Sequence, residues 1–466
     1  MAMWCLSGMV MVVSGYPSLA EAERAAALAP IDWPACCALP EAAAAAQAPV
    51  ASARLRMLAG APTLELRTGA EDSPRLHDLK AGRTIFRIDV ALARATAADA
   101  GRRLGLGSPS SVRPIVRDQW TVSGDFNADR PLWRVAFSDP RRTELYLSSR
   151  TGALVQKTTS GQRFWGWLGA TPHWLYFTAL RQHVGTWNAV VVWTSLVGCF
   201  LAATGLYVGL ARLGWGGRLS PYRGMHLWHH LIGAVFGVLL LTWVASGLVS
   251  MNPWGFLDSG GLDIARARAR LEGPPQTWGQ ARAGLQRLAV LQPAAVEVRA
   301  APFGGKLYFL ALDAEGAVRR LDAQGLPDPL TRDALAKAGL RLAGASPIVS
   351  QGLIAQSDAY YFSHHETVRL PAWRVVLGDA QKTRYYLDPS SGALVFAADA
   401  DARGYRWLHE APHRWDFIPG LRRGPAWAVL VLTLMTGVSA AALTGVWLSF
   451  KAMARDLRRL KSRRRH

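Results

Sequence analysis

Four stretches of this sequence contain no Asp, Glu, Lys or Arg, and they limit the folds open to the chain. They lie at 1–20, 182–211, 224–257 and 424–450. The last three hold apolar runs long enough to cross a bilayer, which takes roughly 20 helical residues. The segments between them are mixed and polar, and each is long enough to fold as a domain. The sequence therefore predicts an α-helical membrane protein with two large domains outside the bilayer.

The charge pattern predicts how the chain is oriented. The net charge is +20, and the 19 tryptophans are typical of membrane interfaces. The loop 212–223 holds three arginines and no acid, and the tail 451–466 holds eight Lys or Arg and one Asp. Positive ends face the cytoplasm, so we expect the large domains in the periplasm of a bacterial inner membrane. No basic, aromatic-rich domain stands apart, so nucleic acid is not an expected partner.

The chain repeats itself with an offset of 240 residues. "WRVAFSDPRRTELYLSSRTGALV" (133–155) aligns with "WRVVLGDAQKTRYYLDPSSGALV" (373–395). The match continues without a gap through His173 and His413 and into the membrane segments. The repeated unit is a span, a domain and a second span, so the fold arose by internal duplication.

The first span is shorter than the repeat requires. "MWCLSGMV" (3–10) resembles "TWVASGLV" (242–249) at an offset of 239. A cleaved signal peptide is one interpretation, although a positive amino-terminal region is missing. The repeat favours the other interpretation, a membrane helix whose front half is absent from this sequence.

These observations divide the chain into eight parts. They are a partial transmembrane helix (1–16), a first extracytoplasmic domain (17–183), a second helix (184–211), a cytoplasmic loop (212–223), a third helix (224–252), a second extracytoplasmic domain (253–423), a fourth helix (424–450) and a basic cytoplasmic tail (451–466).

Each extracytoplasmic domain has the pattern of a small α+β fold. "LWRVAF" and "TELYLSS", like "AWRVVL" and "TRYYLDP", alternate as strands do. "SRTG" and "PSSG" are turn sequences, and "GALV" starts another strand. "ALARATAADAGRRLGL" and "LTRDALAKAGLRL" upstream predict helices. We expect a helix followed by an antiparallel meander.

The two W-R-V…Y-L…G-A-L-V blocks, the P-H pairs after them and the span "RGMHLWHHLIGAVFGVLLLTWVASGLV" resemble the PepSY-associated transmembrane proteins. The resemblance covers nearly the whole chain. It implies four spans and two PepSY-like domains. Members of this family include inner-membrane ferric-siderophore reductases that use haem b, so the resemblance implies this activity and cofactor here. The sequence departs from the family at the front of the first span, where similar proteins carry a histidine.

Three histidines lie at the start of the third span. His226 and His230 share one helix face, and His229 points away from it. Imidazole is a common axial ligand of haem iron, and polar groups in a bilayer normally face a partner or cofactor. We expect haem ligation, with hydrogen bonding at the cytoplasmic interface as the alternative.

Histidines also precede the outgoing spans. His173 and His413 each follow a proline at equivalent places in the repeat. They predict either ligands of a second haem or a cap that fixes each domain onto its helix. His183 is an alternative ligand without a repeat partner. His364 and His365 are expected in an exposed loop, and His409 on the surface.

The remaining motifs narrow the function. No GxSxG, HExxH, Walker or Rossmann signature occurs, so electrons would come from a cytoplasmic or quinol donor. The first hypothesis is a haem-b conduit that reduces a ferric siderophore or another Fe(III) chelate outside the membrane. The second is a non-enzymatic PepSY-domain regulator that binds a protein partner such as a peptidase. A transporter is disfavoured, because the spans contain no Asp, Glu, Lys or Arg for ion coupling.

Overall fold

The fold is taken from a computed structural model of the chain. It describes residues 1–40, 47–69, 74–214, 217–258, 260–364, 368–422 and 424–463.

The helices range from single turns to membrane-length elements. They are α1 (Ala2–Val13), α2 (Glu21–Ala26), α3 (Val90–Arg103), α4 (Ser160–Leu168), α5 (Ala170–His173), α6 (Thr178–Arg181), α7 (Val184–Ala211), α8 (Met225–Val249), α9 (Ile264–Glu272), α10 (Trp278–Leu291), α11 (Arg332–Ala343), α12 (Ala400–Tyr405), α13 (Ala411–Arg414) and α14 (Pro425–Arg463).

The strands fall into three antiparallel sheets. They are β1 (Val50–Leu58), β2 (Ala61–Thr68), β3 (Arg75–Asp78), β4 (Arg83–Ile85), β5 (Pro109–Ile115), β6 (Leu132–Phe137), β7 (Glu144–Ser148), β8 (Leu154–Thr158), β9 (Glu297–Phe303), β10 (Lys306–Leu312), β11 (Val318–Leu321), β12 (Ile348–Ile354), β13 (Ala372–Leu377), β14 (Arg384–Leu387) and β15 (Leu394–Ala398).

Three of the described helices, α7, α8 and α14, are long and apolar enough to cross a membrane. They support the predicted class, a membrane protein with α+β domains. α8 packs against α7 and α14, and α1 packs against α14. Helix α1 is apolar but has only 12 residues, about 18 Å at 1.5 Å per residue. It is therefore shorter than the four-span expectation requires.

The two repeats form matching four-stranded meanders, as the sequence predicts. Strands β5 to β8 form one sheet in sequence order, and β12 to β15 form the other. Helix α3 packs on the first sheet and α11 on the second. In both, the central tyrosine hydroxyl donates to an aspartate 28 residues earlier: Tyr146 to Asp118 and Tyr386 to Asp358, each at 2.8 Å.

A seven-stranded sheet joins the two halves of the chain. Its order is β11-β10-β9-β1-β2-β3-β4, and β1 pairs with β9 through Leu55 opposite Val298. Helix α10 covers this sheet, with Trp278 buried in its core. Strands from the two expected domains, 17–183 and 253–423, therefore lie in one sheet and contribute to one hydrophobic core. Pairing between strands so distant in sequence leaves no local pattern to predict it.

Short helices connect each meander to its outgoing long helix. In the first half, α4, α5 and α6 follow β8 and precede α7. In the second half, α12, a π-helical turn (Arg406–Glu410) and α13 follow β15 and precede α14. These connections place His173 and His413 where the sheets meet the helix bundle.

Candidate functional site: histidines at the domain end of the helix bundle

His173 and His413 lie in the last turns of two short helices, at equivalent points of the repeat. His173 is the last residue of α5, which contacts α1, and His413 lies in α13, which contacts α8. The centroids of their rings are 6.0 Å apart, with the ring planes inclined by 61°. The structure therefore brings together the two repeat-related histidines that the sequence singled out.

Each ring is held by a serine in the facing helix. Nδ1 of His173 lies 3.2 Å from Oγ of Ser7, and Nδ1 of His413 lies 3.0 Å from Oγ of Ser246. Nδ1 of His173 is also 3.1 Å from the carbonyl oxygen of Trp4. The two serines occupy the same position in the alignment of 3–10 with 242–249. The internal repeat thus extends to the contacts of the histidine rings.

These contacts favour one tautomer of each ring. The Ser7 hydroxyl donates to the carbonyl oxygen of Met3 at 2.6 Å, and the Ser246 hydroxyl donates to that of Trp243 at 3.1 Å. With its own hydrogen directed to that carbonyl, each hydroxyl is available as an acceptor, which favours the tautomer with the proton on Nδ1; the carbonyl of Trp4 favours the same tautomer for His173. The lone pair then lies on Nε2, which is the nitrogen free to bind a metal.

Glycines in the facing helices leave room for both rings. A Cβ atom at Gly8 would lie 3.2 Å from Cε1 of His173, and one at Gly247 would lie 3.6 Å from Cε1 of His413. These glycines follow Ser7 and Ser246 directly. Each Ser-Gly pair therefore forms a seat for an imidazole: the serine hydroxyl contacts Nδ1, and the glycine, which has no side chain, leaves space for the ring.

His409 adds a third ring to the pair. Its centroid lies 5.0 Å from that of His413, and its Nδ1 lies 2.7 Å from the carbonyl oxygen of Ser246. Its side chain is buried at 8% exposure, so the expectation of a surface histidine is wrong. The π-helical turn turns it inward, and π-helical turns are frequent at functional sites. The spacing of four residues from His413 was the signal that could have identified it.

All three domain-end histidines are neutral at ordinary pH. Burial lowers the pKa of His173 to about 4 and that of His409 to about 4. Burial also lowers the pKa of His413 well below its ordinary value, and the neighbouring His409 and His173 lower it further. Neutral rings keep the Nε2 lone pair that metal binding needs.

The three histidines of α8 differ from one another. His226 is exposed, whereas His229 lies against α14, with Nδ1 3.0 Å from Oγ1 of Thr444. The Thr444 hydroxyl donates to the carbonyl oxygen of Ala440, so His229 is also protonated at Nδ1. A Cβ atom at Gly445 would lie 3.1 Å from its Cε1. His229 therefore occupies a Thr-Gly seat of the same kind.

Both ring nitrogens of His230 bind protein atoms. Nε2 lies 2.7 Å from the carbonyl oxygen of Gly209, and Nδ1 lies 2.7 Å from Oγ of Ser220. The carbonyl can only accept, so Nε2 carries the proton and Nδ1 accepts from Ser220. His230 thus bridges α7, α8 and the loop between them, and a metal could bind it only after one of these bonds breaks.

The other predicted histidines lie apart from the pair. His183 is exposed at the start of α7. His364 is buried against Asp416, with Nε2 2.7 Å from Oδ2 and 2% of the side chain exposed, so the expectation of an exposed loop is wrong for it. His365 lies outside the described residues. Within the described part of the chain, no cluster of three or more His, Cys, Asp or Glu side chains could hold a metal ion.

No known protein family and no curated protein matches this sequence. The fold and the site define the chain as a membrane-type protein with α+β domains and a repeat-related histidine pair where the two parts meet.

Proposed function

We propose that this chain is a transmembrane haem-b electron conduit that reduces a ferric chelate, of the siderophore class, on the domain side of the membrane. The carrying observation is the His173–His413 pair, with Nδ1 of each ring bound to a serine and Nε2 carrying the lone pair. Two PepSY-like domains, four membrane helices and an inner-membrane location with the basic tail in the cytoplasm belong to the same proposal.

The histidines at the domain end have the chemistry that haem ligation would need. Haem proteins use neutral imidazoles whose second nitrogen donates to a protein group, which fixes the ring orientation. His173 and His413 meet this requirement through Ser7 and Ser246. If haem is bound at this end, His173 and His413, whose ring centroids lie 6.0 Å apart, are the residues that would hold it. His409 would then be a neighbour of the ligand His413, not a ligand.

His229 is the favoured ligand at the basic end of the bundle. It has the same tautomer and the same hydroxyl-glycine seat, whereas both nitrogens of His230 are bound to protein atoms. His226 is exposed beside it and could supply a second imidazole. When bound, haem supplies the one-electron Fe(III)/Fe(II) couple; the protein contributes ligands, burial and hydrogen bonds that set its potential.

The net reaction moves one electron across the membrane. A cytoplasmic or quinol donor loses the electron, and the Fe(III) of the chelate gains it. Fe(II) is held less strongly by the hard oxygen ligands of such a chelate, so reduction releases the metal.

The first experiment is a reduced-minus-oxidised absorption spectrum of the detergent-purified chain, with the haem-to-protein ratio. We expect a b-type spectrum that is lost or strongly reduced in His173→Ala and His413→Ala. His183→Ala removes an exposed histidine near the same end and is the matched control, with an unchanged spectrum. Absence of haem after expression with ample haem would overturn the proposal and favour the non-enzymatic PepSY-domain regulator.

A second experiment tests the substrate class. The chain would be reduced chemically and mixed with a ferric hydroxamate chelate. We expect reoxidation of the haem spectrum together with one Fe(II) formed per electron lost. A haem protein that stays reduced in the presence of the chelate would leave the cofactor in place but overturn the ferric-reductase assignment.

A further inference from the structure

A cationic groove lies at the opposite end of the bundle from the His173–His413 pair. It has a volume of about 540 Å³ and runs between the start of α8 and the end of α14. Its lining is His226, Leu448, Lys451, Ala452, Ala454, Arg455, Arg458 and Arg459.

Helix α14 presents these cations on one face. Lys451, Arg455 and Arg458 follow the spacing of three and four residues that places side chains on one side of a helix. No acidic residue lines the groove in the part of the chain that the structure describes. The neighbouring Asp456 has Oδ1 3.7 Å from Nε of Arg455, at a site where both side chains are more than half exposed. The groove therefore keeps a strong positive potential.

The start of α8 adds to this potential. His226, its second residue, lines the groove, and the helix is preceded by Gly224 with φ at 59°. No described side chain caps this helix end. The first N–H groups of a helix have no partner within it, and the helix dipole favours an anion there. Cationic side chains and backbone donors thus meet in one groove.

The groove also lies at the boundary between apolar and polar surface. Leu448 and two alanines line it beside the cations. Trp228 and Trp447, on the two helices that form it, are 61% and 51% exposed. Exposed tryptophans at the ends of apolar helices are typical of the lipid–water interface. An amphiphile fits this lining better than a small soluble anion does.

We propose that this groove binds the phosphate of an anionic lipid headgroup, with Lys451, Arg455 and Arg458 as its cationic ligands and the start of α8 as donor. The acyl chains would lie along Leu448 and the apolar surface of α14. Its three cationic ligands are not among the proposed haem ligands, and lipid binding requires no reductase activity; His226 alone lies at both sites.

The test uses the full chain in detergent and titrates it with short-chain phosphatidylglycerol. The variant Lys451→Gln/Arg455→Gln/Arg458→Gln should bind at least about tenfold more weakly, since each cation near an anionic surface contributes about a fivefold change in affinity. The control Lys461→Gln/Arg464→Gln/Arg465→Gln removes the same charge from the same tail and should bind within about twofold of the wild type.

Two further arms identify the ligand. Phosphatidylcholine should bind weakly, because its headgroup has no net charge. Inorganic phosphate should fail to displace the phosphatidylglycerol; displacement would make a free phosphate the ligand and overturn the lipid assignment. Equal weakening in both triple variants would overturn the site, because the attraction would then be a diffuse property of the tail. If the groove variant does not fold, the single change Arg455→Gln should weaken binding about fivefold, whereas its control Lys461→Gln should bind within about twofold of the wild type.

Discussion

Nδ1 of His413 lies 3.0 Å from Oγ of Ser246, and the residues related to them by the repeat, His173 and Ser7, make the same contact at 3.2 Å. The contact joins a short connecting helix to an apolar helix in each half of the molecule, α1 in the first half and α8 in the second. The two halves of the repeat therefore share the histidine–serine contact that orients the imidazole ring, as well as the fold. An interfacial cap and a haem ligand would both use this contact, so experiments on the serine must separate the two roles.

Ser246→Ala removes the acceptor for Nδ1 of His413. If His413 is a haem ligand, loss of this outer contact should weaken haem retention by about tenfold or more. Ser246→Thr, which keeps a hydroxyl, should restore most of the binding. The measurement is haem content after dilution, alongside the thermal midpoint. Ser250→Ala is the control, because its hydroxyl donates to the carbonyl oxygen of Gly247 in the last turn of α8. A loss of stability without a change in haem affinity would identify a cap.

Gly8→Val tests the space that Gly8 leaves for the ring of His173. A Cβ atom there would lie 2.6 Å from Cε of Met435 and 3.2 Å from Cε1 of His173, so a side chain must displace both. Overpacking of this kind costs about 1–3 kcal/mol, and we expect a lower thermal midpoint and loss of the His173-dependent spectrum. Gly205→Val introduces the same side chain into α7, where the added Cβ has no heavy atom within 4 Å apart from the adjacent residues and the backbone of its own helix. An equal decrease in thermal midpoint and spectrum in both variants would show that Gly8 is not needed to accommodate the His173 ring.

The buried histidines predict a loss of stability on acidification. The unfolded chain binds a proton at each histidine near pH 6.5, whereas burial lowers the pKa of His409 to about 4 in the folded protein. The unfolded state therefore binds more protons between these values, so stability is complete above about pH 6.5 and falls as the pH approaches 4.

The variant His409→Gln measures how much of this acid-induced loss of stability comes from the His409 ring. Between about pH 7.5 and about pH 5, the change should reduce the loss of stability by about 2 kcal/mol at most. The thermal midpoint of the wild type and the variant should be compared at about pH 7.5 and about pH 5. An equal decrease in both proteins would show that His409 does not contribute.

The repeat made the paired features of the fold predictable. The offset of 240 residues predicts that Trp187 and Trp427 occupy equivalent places. In the structure, the indole Nε1 of each donates to a backbone carbonyl oxygen 13 residues earlier, at 2.9 and 2.8 Å. The meander strands follow from alternation, and the long helices follow from apolar length. Local pattern and internal symmetry suffice for these features because each is encoded within one segment or its copy.

Features present in only one half were not predictable in this way. His409 aligns with Gly169, so the repeat gives no guide to its burial. His364 aligns with Gly124, and Asp416 aligns with Tyr176. The contact between His364 and Asp416 forms because the loop before β13 packs against the connection to α14. A periodic sequence pattern does not predict such packing. The join between β1 and β9 has the same origin, since strand pairing depends on partners far apart in sequence.

Asp416 holds together the connection between the second meander and α14. Its Oδ2 lies 2.7 Å from Nε2 of His364, and its Oδ1 lies 2.7 Å from Nη1 of Arg406. All three side chains are at most 3% exposed. Although burial alone would raise the pKa of Asp416, its contacts with His364 and Arg406 lower it overall, so the carboxylate is charged.

Asp416→Ala would leave the buried Arg406 guanidinium without its near carboxylate, with Glu410 as a more distant one at 4.0 Å from Nε. Breaking a buried ion pair by removing one partner costs about 3–5 kcal/mol, so we expect a large decrease in the thermal midpoint and in folded yield. The control Asp333→Ala breaks a pair of equal length, 2.7 Å to Lys337, whose side chains are 73% and 65% exposed. That change should cost less than about 1 kcal/mol, because solvent screens the pair. Similar midpoints for the two variants would mean that the Arg406 charge reaches water when Asp416 is absent. His413 lies three residues before Asp416, so a structural role predicts that the b-type spectrum of Asp416→Ala falls in step with its folded fraction.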